Sequence, residues 1–299
     1  ILGDAAPTAN SGKFKDWGFE GSINYNGKIG EVQYHVGGNI TFARNELTDY
    51  GGTSVLKSGY TSTQQGYSLN SIFGLRYGGK IQNEEMLKAY LAKYYPNNGI
   101  GMPSNLRVGD NMYCDENGDG VLDYRDYIYL GSDTPEFSYS FNAGASWKGI
   151  DFNIVFQGSA NRFVYRGIDA WTVPFRSLYT NSTTSSIGNT WSETNPNAYY
   201  NPYTTDANIV SYNYQANSLT AQDGRYIRLK NITVGYNLPA SVLKKLGFVN
   251  AARIYFTGED LWESTKITDG WDPEAKRNAS DVSRYPFTRN FTFGLNLTF

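Results

Sequence analysis

The sequence predicts an all-β chain whose long antiparallel strands turn one apolar face to lipid. Three observations predict it. Apolar and polar residues alternate over runs of nine to twelve residues, where an ordinary strand has about five or six and a membrane-spanning strand about ten. The polar parity of these runs is Ser, Thr, Asn, Gly and Gln, which suits a wet interior. The connections come in two sizes, tight at Asn26-Gly27-Lys28 and Lys148-Gly149 and very long at 44–65, 78–135, 163–223 and 263–288. Short turns on one rim and long loops on the other are the habit of membrane barrels.

Taken in order, 17–25 puts Trp17, Phe19, Ile23 and Tyr25 on one parity, and 32–42 does so with Val32, Tyr34, Val36, Ile40 and Phe42. Residues 67–77 follow with Tyr67, Leu69, Phe73, Leu75 and Tyr77. Asn83 is placed to cap a helix over 84–94, with two glutamates in its first turn. A short strand is expected within 104–114. Residues 136–147 alternate from Phe137 to Trp147, and 151–157 align Phe152, Ile154 and Phe156. In 226–238 the parity slips: Ile227 and Leu229 fall on one face, Ile232, Val234 and Tyr236 on the other. One extra residue near Lys230–Asn231, a β-bulge, restores the facing. Ser241 is expected to cap a helix over 242–246, stopped by Gly247. A weaker strand covers 253–261, and 289–299 alternates to its last residue, Phe299. Eight strands would put the two tight turns on opposite rims; the strand in 104–114 makes nine and returns them to one rim.

Composition agrees. The 299 residues include 25 tyrosines and 32 glycines, and 18% are charged. A formal net charge of −2, with no basic run, gives no reason to expect a nucleic-acid partner. Cys114 is the only cysteine, so no internal disulfide exists. No apolar run approaches the ~18 residues of a spanning helix. His35, the only histidine, shares parity with Gln33, Asn39 and Thr41. One His and one Cys make no catalytic triad. The nearest carboxylate pairs are Glu259-Asp260 and Asp272/Glu274; Glu259 and Asp260, adjacent along a strand, would not converge unless a bulge intervened. No catalytic residue is therefore assigned. The loop 163–223 carries Tyr165, Trp171, Tyr179, Trp191, Tyr199, Tyr200, Tyr203, Tyr212 and Tyr214, able to stack on sugar rings or to form the loop's own small core.

The stretch CDENGDGVLDYRD supplies oxygens on the schedule of a calcium loop. Asp115, Asn117, Asp119, the Val121 carbonyl, Asp123 and Asp126 fall at positions 1, 3, 5, 7, 9 and 12, with Gly120 at the sharp turn. Hard oxygen donors suit Ca²⁺, in a structural role, although Asp126 stands where a bidentate Glu is usual.

Several motifs in order then carry a resemblance: Gly-Gly-Lys-Ile-Gln-Asn-Glu-Glu (78–85), Gly109-Asp110 before the acidic loop, Tyr129-Leu130-Gly131, Pro135-Glu136-Phe137 and Phe156-Gln157-Gly158. RLKNITVGYNLP (228–239), RIYFTG (253–258), Asp272-Pro273-Glu274, Tyr285-Pro286 and the FGLNLTF end complete the set. Together they resemble the C-terminal part of SusC/RagA-type TonB-dependent outer-membrane transporters. The resemblance implies a 22-stranded transmembrane barrel with long extracellular loops, in the outer membrane of a Gram-negative bacterium. Residues 1–299 would supply about eight or nine of its strands. The chain opens at Ile1 without an initiator Met and shows no plug or TonB box, so those parts are expected elsewhere. The implied partners are a SusD-like surface lipoprotein, the TonB complex, the N-terminal plug and remaining barrel, the bilayer, an oligosaccharide or peptide substrate, and a second transporter in a pair. The implied activity is active import without covalent chemistry. The alternative is a secreted calcium-stabilised β-sandwich that binds glycans. Its apolar faces would be sealed against a second sheet.

Overall fold

The computed structural model describes residues 12–50, 55–58, 61–165, 182, 184–267, 270–275 and 287–299. In chain order the elements are β1 (Lys13–Ile29), β2 (Val32–Asp49), β3 (Val55–Ser58), β4 (Thr61–Gln64), β5 (Ser71–Leu75), β6 (Tyr77–Lys80), α1 (Glu84–Tyr94), β7 (Asn111–Tyr113) and β8 (Tyr127–Ser132). There follow β9 (Phe137–Trp147), β10 (Ile150–Ala160), β11 (Phe163–Val164), α2 (Ala207–Asn213), β12 (Gln222–Asp223), β13 (Tyr226–Asn237), α3 (Ala240–Leu246), β14 (Ala251–Thr265) and β15 (Asn290–Thr298).

Seven long strands form one antiparallel sheet in the order β1-β2-β9-β10-β13-β14-β15. Every short connection lies on one rim: Gly30-Glu31, Lys148-Gly149, and the α3 segment. Every long one lies on the other. Gly30 (φ 59°) takes the first central position of its two-residue turn, and Lys148 and Gly149 are both at positive φ, as a I′ hairpin requires. The first turn therefore falls later than the expected Asn26-Gly27-Lys28. Those three residues continue the ladder, with Asn26 opposite His35. α3 begins at Ala240 after Pro239 with no side-chain cap, so Ser241 lies inside the helix; Gly247 (φ 71°) ends it as expected.

The expected strand over 67–77 does not join this wall, nor does the one in 104–114. The chain switches partners at Arg76. β5 pairs with β8, and β6 with β7, a strand of three residues. The alternation in 67–77 is real, but β5 is buried along its whole length by loop residues. Removing both strands leaves seven, an odd number like nine, so the tight turns stay on one rim. The bulge appears where the parity slips: against β10, Lys230 is the extra residue between Leu229, opposite Phe156, and Asn231, opposite Val155.

The register carries one apolar row across the wall, Tyr25–Val36–Ala143–Ile154–Ile232–Gly258–Phe291. No second sheet covers this face among the described residues. Phe293 is 81% exposed, Ile23 75% and Phe291 64%. The buried core sits elsewhere. Its largest cluster joins Leu75, Ile81, Leu87, Tyr90, Leu122 and Tyr212, with no residue from the seven wall strands. A sandwich would reverse this arrangement, burying the sheet face and leaving the loops thin. Eight residues separate Trp17 from Tyr25, about 26 Å of strand and about 20 Å of membrane depth at a ~40° tilt, close to the ~25 Å apolar band between aromatic girdles.

Candidate functional site: the polar face and its mouth

The opposite face begins as a neutral lattice. One row reads Asn26–His35–Gly144–Asn153–Thr233–Thr257–Thr292. His35 Nε2 lies 3.2 Å from Asn153 Oδ1, and the Thr233 and Thr257 hydroxyls are 3.2 Å apart. His35 thus stands where its parity placed it, among amides and hydroxyls. Near the short-turn rim Arg253 donates to Asp151, 2.6 Å away, across Gly235, whose missing side chain leaves room for the guanidinium.

Toward the long-loop rim charge gathers. Arg228, completely buried, bonds Glu263 and Asp272 (2.7 Å) and pairs with Glu274 (3.3 Å). The bulge re-aims its neighbour: Lys230 meets Asp260 (2.9 Å) and Glu274 (3.0 Å). Phe287 lies 3.9 Å over the Arg228 guanidinium. From the other side Arg162 donates to the Pro273 and Ala275 carbonyls and to Asp133. Residues 271–275 are thereby strapped onto the polar face at its mouth.

These contacts answer the carboxylate question. A bulge does intervene at Asp260 (φ 56°), but Glu259 accepts from Asn290 while Asp260 takes Lys230. Asp272 and Glu274 come together at Arg228, and their cations hold the strap.

The long connections build a second body above the mouth. Asn83 caps α1 as expected, accepting from Met86 N at 2.8 Å. Most of the described aromatics of 163–223 pack inward: Tyr165, Tyr200, Tyr212 and Tyr214 are buried, and Tyr203 is exposed. Trp171, Tyr179 and the Tyr285-Pro286 pair lie outside the described residues. Asp110, fully buried, accepts from Arg107 and from Asn213 Nδ2 (2.8 Å). Lys80 is also buried, with Asn111 Oδ1 at 3.3 Å. Loss of hydration lowers its pKa to about 8, only partly offset by the Asp110 charge. A lowered Lys pKa means the unfolded chain binds more protons between pH 8 and 10.5. Stability from this group therefore rises with pH through that window and is least below pH 8. Lys80→Met should stabilise the loop body at pH 7 by about 2 kcal/mol, with the gain shrinking by pH 9.5. Thermal unfolding of both proteins at the two pH values checks this.

In the acidic loop each carboxylate has work within the chain. Asp115 accepts from Gly118 N (2.7 Å) and Gly120 N (2.9 Å), and Asn117 from Asp119 N (2.8 Å). Buried Asp126 accepts from Glu116 N and Asp123 N. Arg125 bridges Asp119 (3.0 Å) and Asp123 (2.8 Å). Val121 donates its N–H to Asp119. Among the described residues no three acidic, His or Cys side chains converge as a metal cluster. The donor set remains all hard oxygen. Cys114 is half-buried beside it.

A wall greasy on one side and polar on the other, with all short turns on one rim, defines a section of a transmembrane β-barrel. No helix among the described residues is long and apolar enough to cross a membrane, which does not bear on strands. No family model matches the chain. It is 31% identical to TonB-dependent receptor P3 of Formosa agariphila over 249 residues, 79% of this chain and 23% of the relative. It is 25% identical to TonB-dependent receptor SusC of Bacteroides thetaiotaomicron over 99% of this chain and 27% of the relative. The structure of the RagAB peptide transporter superposes with a TM-score of 0.71 at 20% identity, over 97% of this chain and 29% of that one. The chain is a relative of the SusC/RagA-type TonB-dependent receptors and a wall of an outer-membrane β-barrel of that kind. It spans about a quarter of the length of these relatives.

Proposed function

We propose that the chain forms the C-terminal part of the barrel of an importer, driven through TonB, that moves oligosaccharides or peptides with a SusD-like lipoprotein over its mouth. The observation that carries this reading is the pairing of an uncovered apolar face with a polar face on the same seven strands. The wall meets lipid outside and a hydrated path inside. The plug and the remaining strands would come from other parts of the protein. The body built by the long connections would offer the lipoprotein its seat. In intact cells, uptake should cease when the proton gradient is collapsed, and the lipoprotein should co-purify with the barrel. Uptake that persists without the gradient contradicts active import.

We also propose Ca²⁺ as the ion of the 115–126 loop, held by Asp115, Asn117, Asp119, the Val121 carbonyl, Asp123 and Asp126. Its donor chemistry supports this, and the ion would take over the pairing that Arg125 now gives Asp119 and Asp123. With a dissociation constant on the order of 10⁻⁴ M, 1 mM Ca²⁺ should stabilise the loop body by about 1.4 kcal/mol over chelator. Asp119→Ala should abolish that difference. Identical hydrogen exchange in Ca²⁺ and in chelator would contradict the site.

A further inference from the structure

Where the strap meets the wall, a cavity of about 710 Å³ opens on the polar face, within the usual range for small-ligand sites. Its floor is the long-loop end of β9, β10 and β13. Ser138, Ser159 and Tyr226 lie opposite one another in the ladder, and Gln157 lies one row further in, opposite Ser140 and Arg228. Its walls are Asp133 on one side and Glu274 of the strap on the other. We infer that this cavity is a subsite for a neutral, polyhydroxylated ligand, a sugar ring of an oligosaccharide, rather than for a peptide. The inference rests on the import reading and narrows its substrate class.

Three features of the cavity carry the choice. The charges of the lining are already balanced inside the protein. Asp133 faces Arg162 at 3.3 Å, and Glu274 is held by Lys230 and Arg228. Among the described residues of the lining no free cation is left to draw an acidic ligand, and the carboxylates can still accept hydrogen bonds from hydroxyls. The exposed groups of the floor are neutral, Ser138 and Gln157. Buried Ser159 carries a hydroxyl without a partner in its floor, a cost that a small adjustment toward a ligand hydroxyl would remove. Finally, the cavity lacks what a peptide uses. A bound peptide adds to a free strand edge or drops apolar side chains into pockets. Here β10 is paired on both sides through Ser159, and among the described residues of the lining Pro135 is the only aliphatic side chain beyond the alkyl stem of Arg162.

The test uses the full-length protein in detergent and two probe sets. One is a panel of neutral linear oligosaccharides of four to eight glucose, mannose, galactose or fructose units. The other is a pool of uncharged octapeptides. Calorimetry should show binding of at least one saccharide. Gln157→Ala should weaken it about fivefold to tenfold, the loss of one or two neutral hydrogen bonds, and Ser138→Leu should weaken it further by filling the cavity. Heat-modifiable gel mobility confirms that each variant is folded. Failure of every saccharide to bind overturns the inference, as does a saccharide affinity unchanged in both variants, or a peptide affinity that falls with Gln157→Ala. Energised uptake of peptides by an otherwise active transporter would remove the sugar assignment and leave import standing. Absence of gradient-dependent uptake of both probe sets would remove the import reading itself.

Discussion

Arg228→Met is expected to free the 271–275 strap from the wall. Arg228 has no exposure and serves three carboxylates, on Glu263, Asp272 and Glu274, each about a quarter exposed. Removing the cation leaves three like charges together at the mouth. Breaking a buried pair by deleting one partner costs about 3–5 kcal/mol. Because these carboxylates keep some contact with water, the low end applies, about 3 kcal/mol. Amides in 271–275 should then exchange on the order of 100-fold faster, while those of β10 and β13 near the short turns keep their protection. Lys230→Met should have a smaller effect, about 1 kcal/mol, since Lys230 is 27% exposed and only two acids depend on it. Equal effects from the two variants would show that the strap does not hang on Arg228.

Phe293→Lys and Thr292→Lys should differ sharply although the residues are neighbours. Phe293 stands mid-strand on the apolar face, beside Phe256 at 5.2 Å between ring centroids. Thr292 stands on the polar face opposite Thr257. A lysine on the lipid face near the bilayer midplane costs about 2–4 kcal/mol, whereas the lumen side tolerates it. Urea unfolding of the full-length protein from lipid vesicles should show this loss for Phe293→Lys and a change within about 1 kcal/mol for Thr292→Lys. On a soluble protein the order would reverse or vanish, because Phe293 would be an exposed surface residue.

The wall strands could be read from the sequence because a period of two is unambiguous over nine or more residues. Even the bulge at Lys230 showed itself, since one extra residue moves every later side chain to the other face. The strand at 67–77 misleads for a related reason. Alternation reports that one face is apolar but not what covers it, and Leu75 and Phe73 meet the loop core rather than lipid. The turn at Gly30-Glu31 was masked by the Asn-Gly pair at 26–27, a frequent hairpin signal that here lies inside the ladder. The acidic loop could be read as a set of oxygens, but not the way Arg125 sits among them. The mouth was least accessible. Arg228 and Asp272 are 44 residues apart, and only the short Asp-Pro-Glu motif hinted that the second segment had a role. Cation and carboxylate meet there because the bulge and the strap bring them together, and neither effect has a local period.

The central claim is that hydrocarbon, and not protein, is the medium of the apolar face. The most direct measurement places single cysteines along 291–297 in a Cys114→Ser background, labels each with a fluorophore, and reconstitutes the full-length protein in brominated lipid. Quenching should alternate, strong at 291, 293, 295 and 297 and weak at 292, 294 and 296. Quenching that is weak at every position, or that does not alternate, would contradict the account.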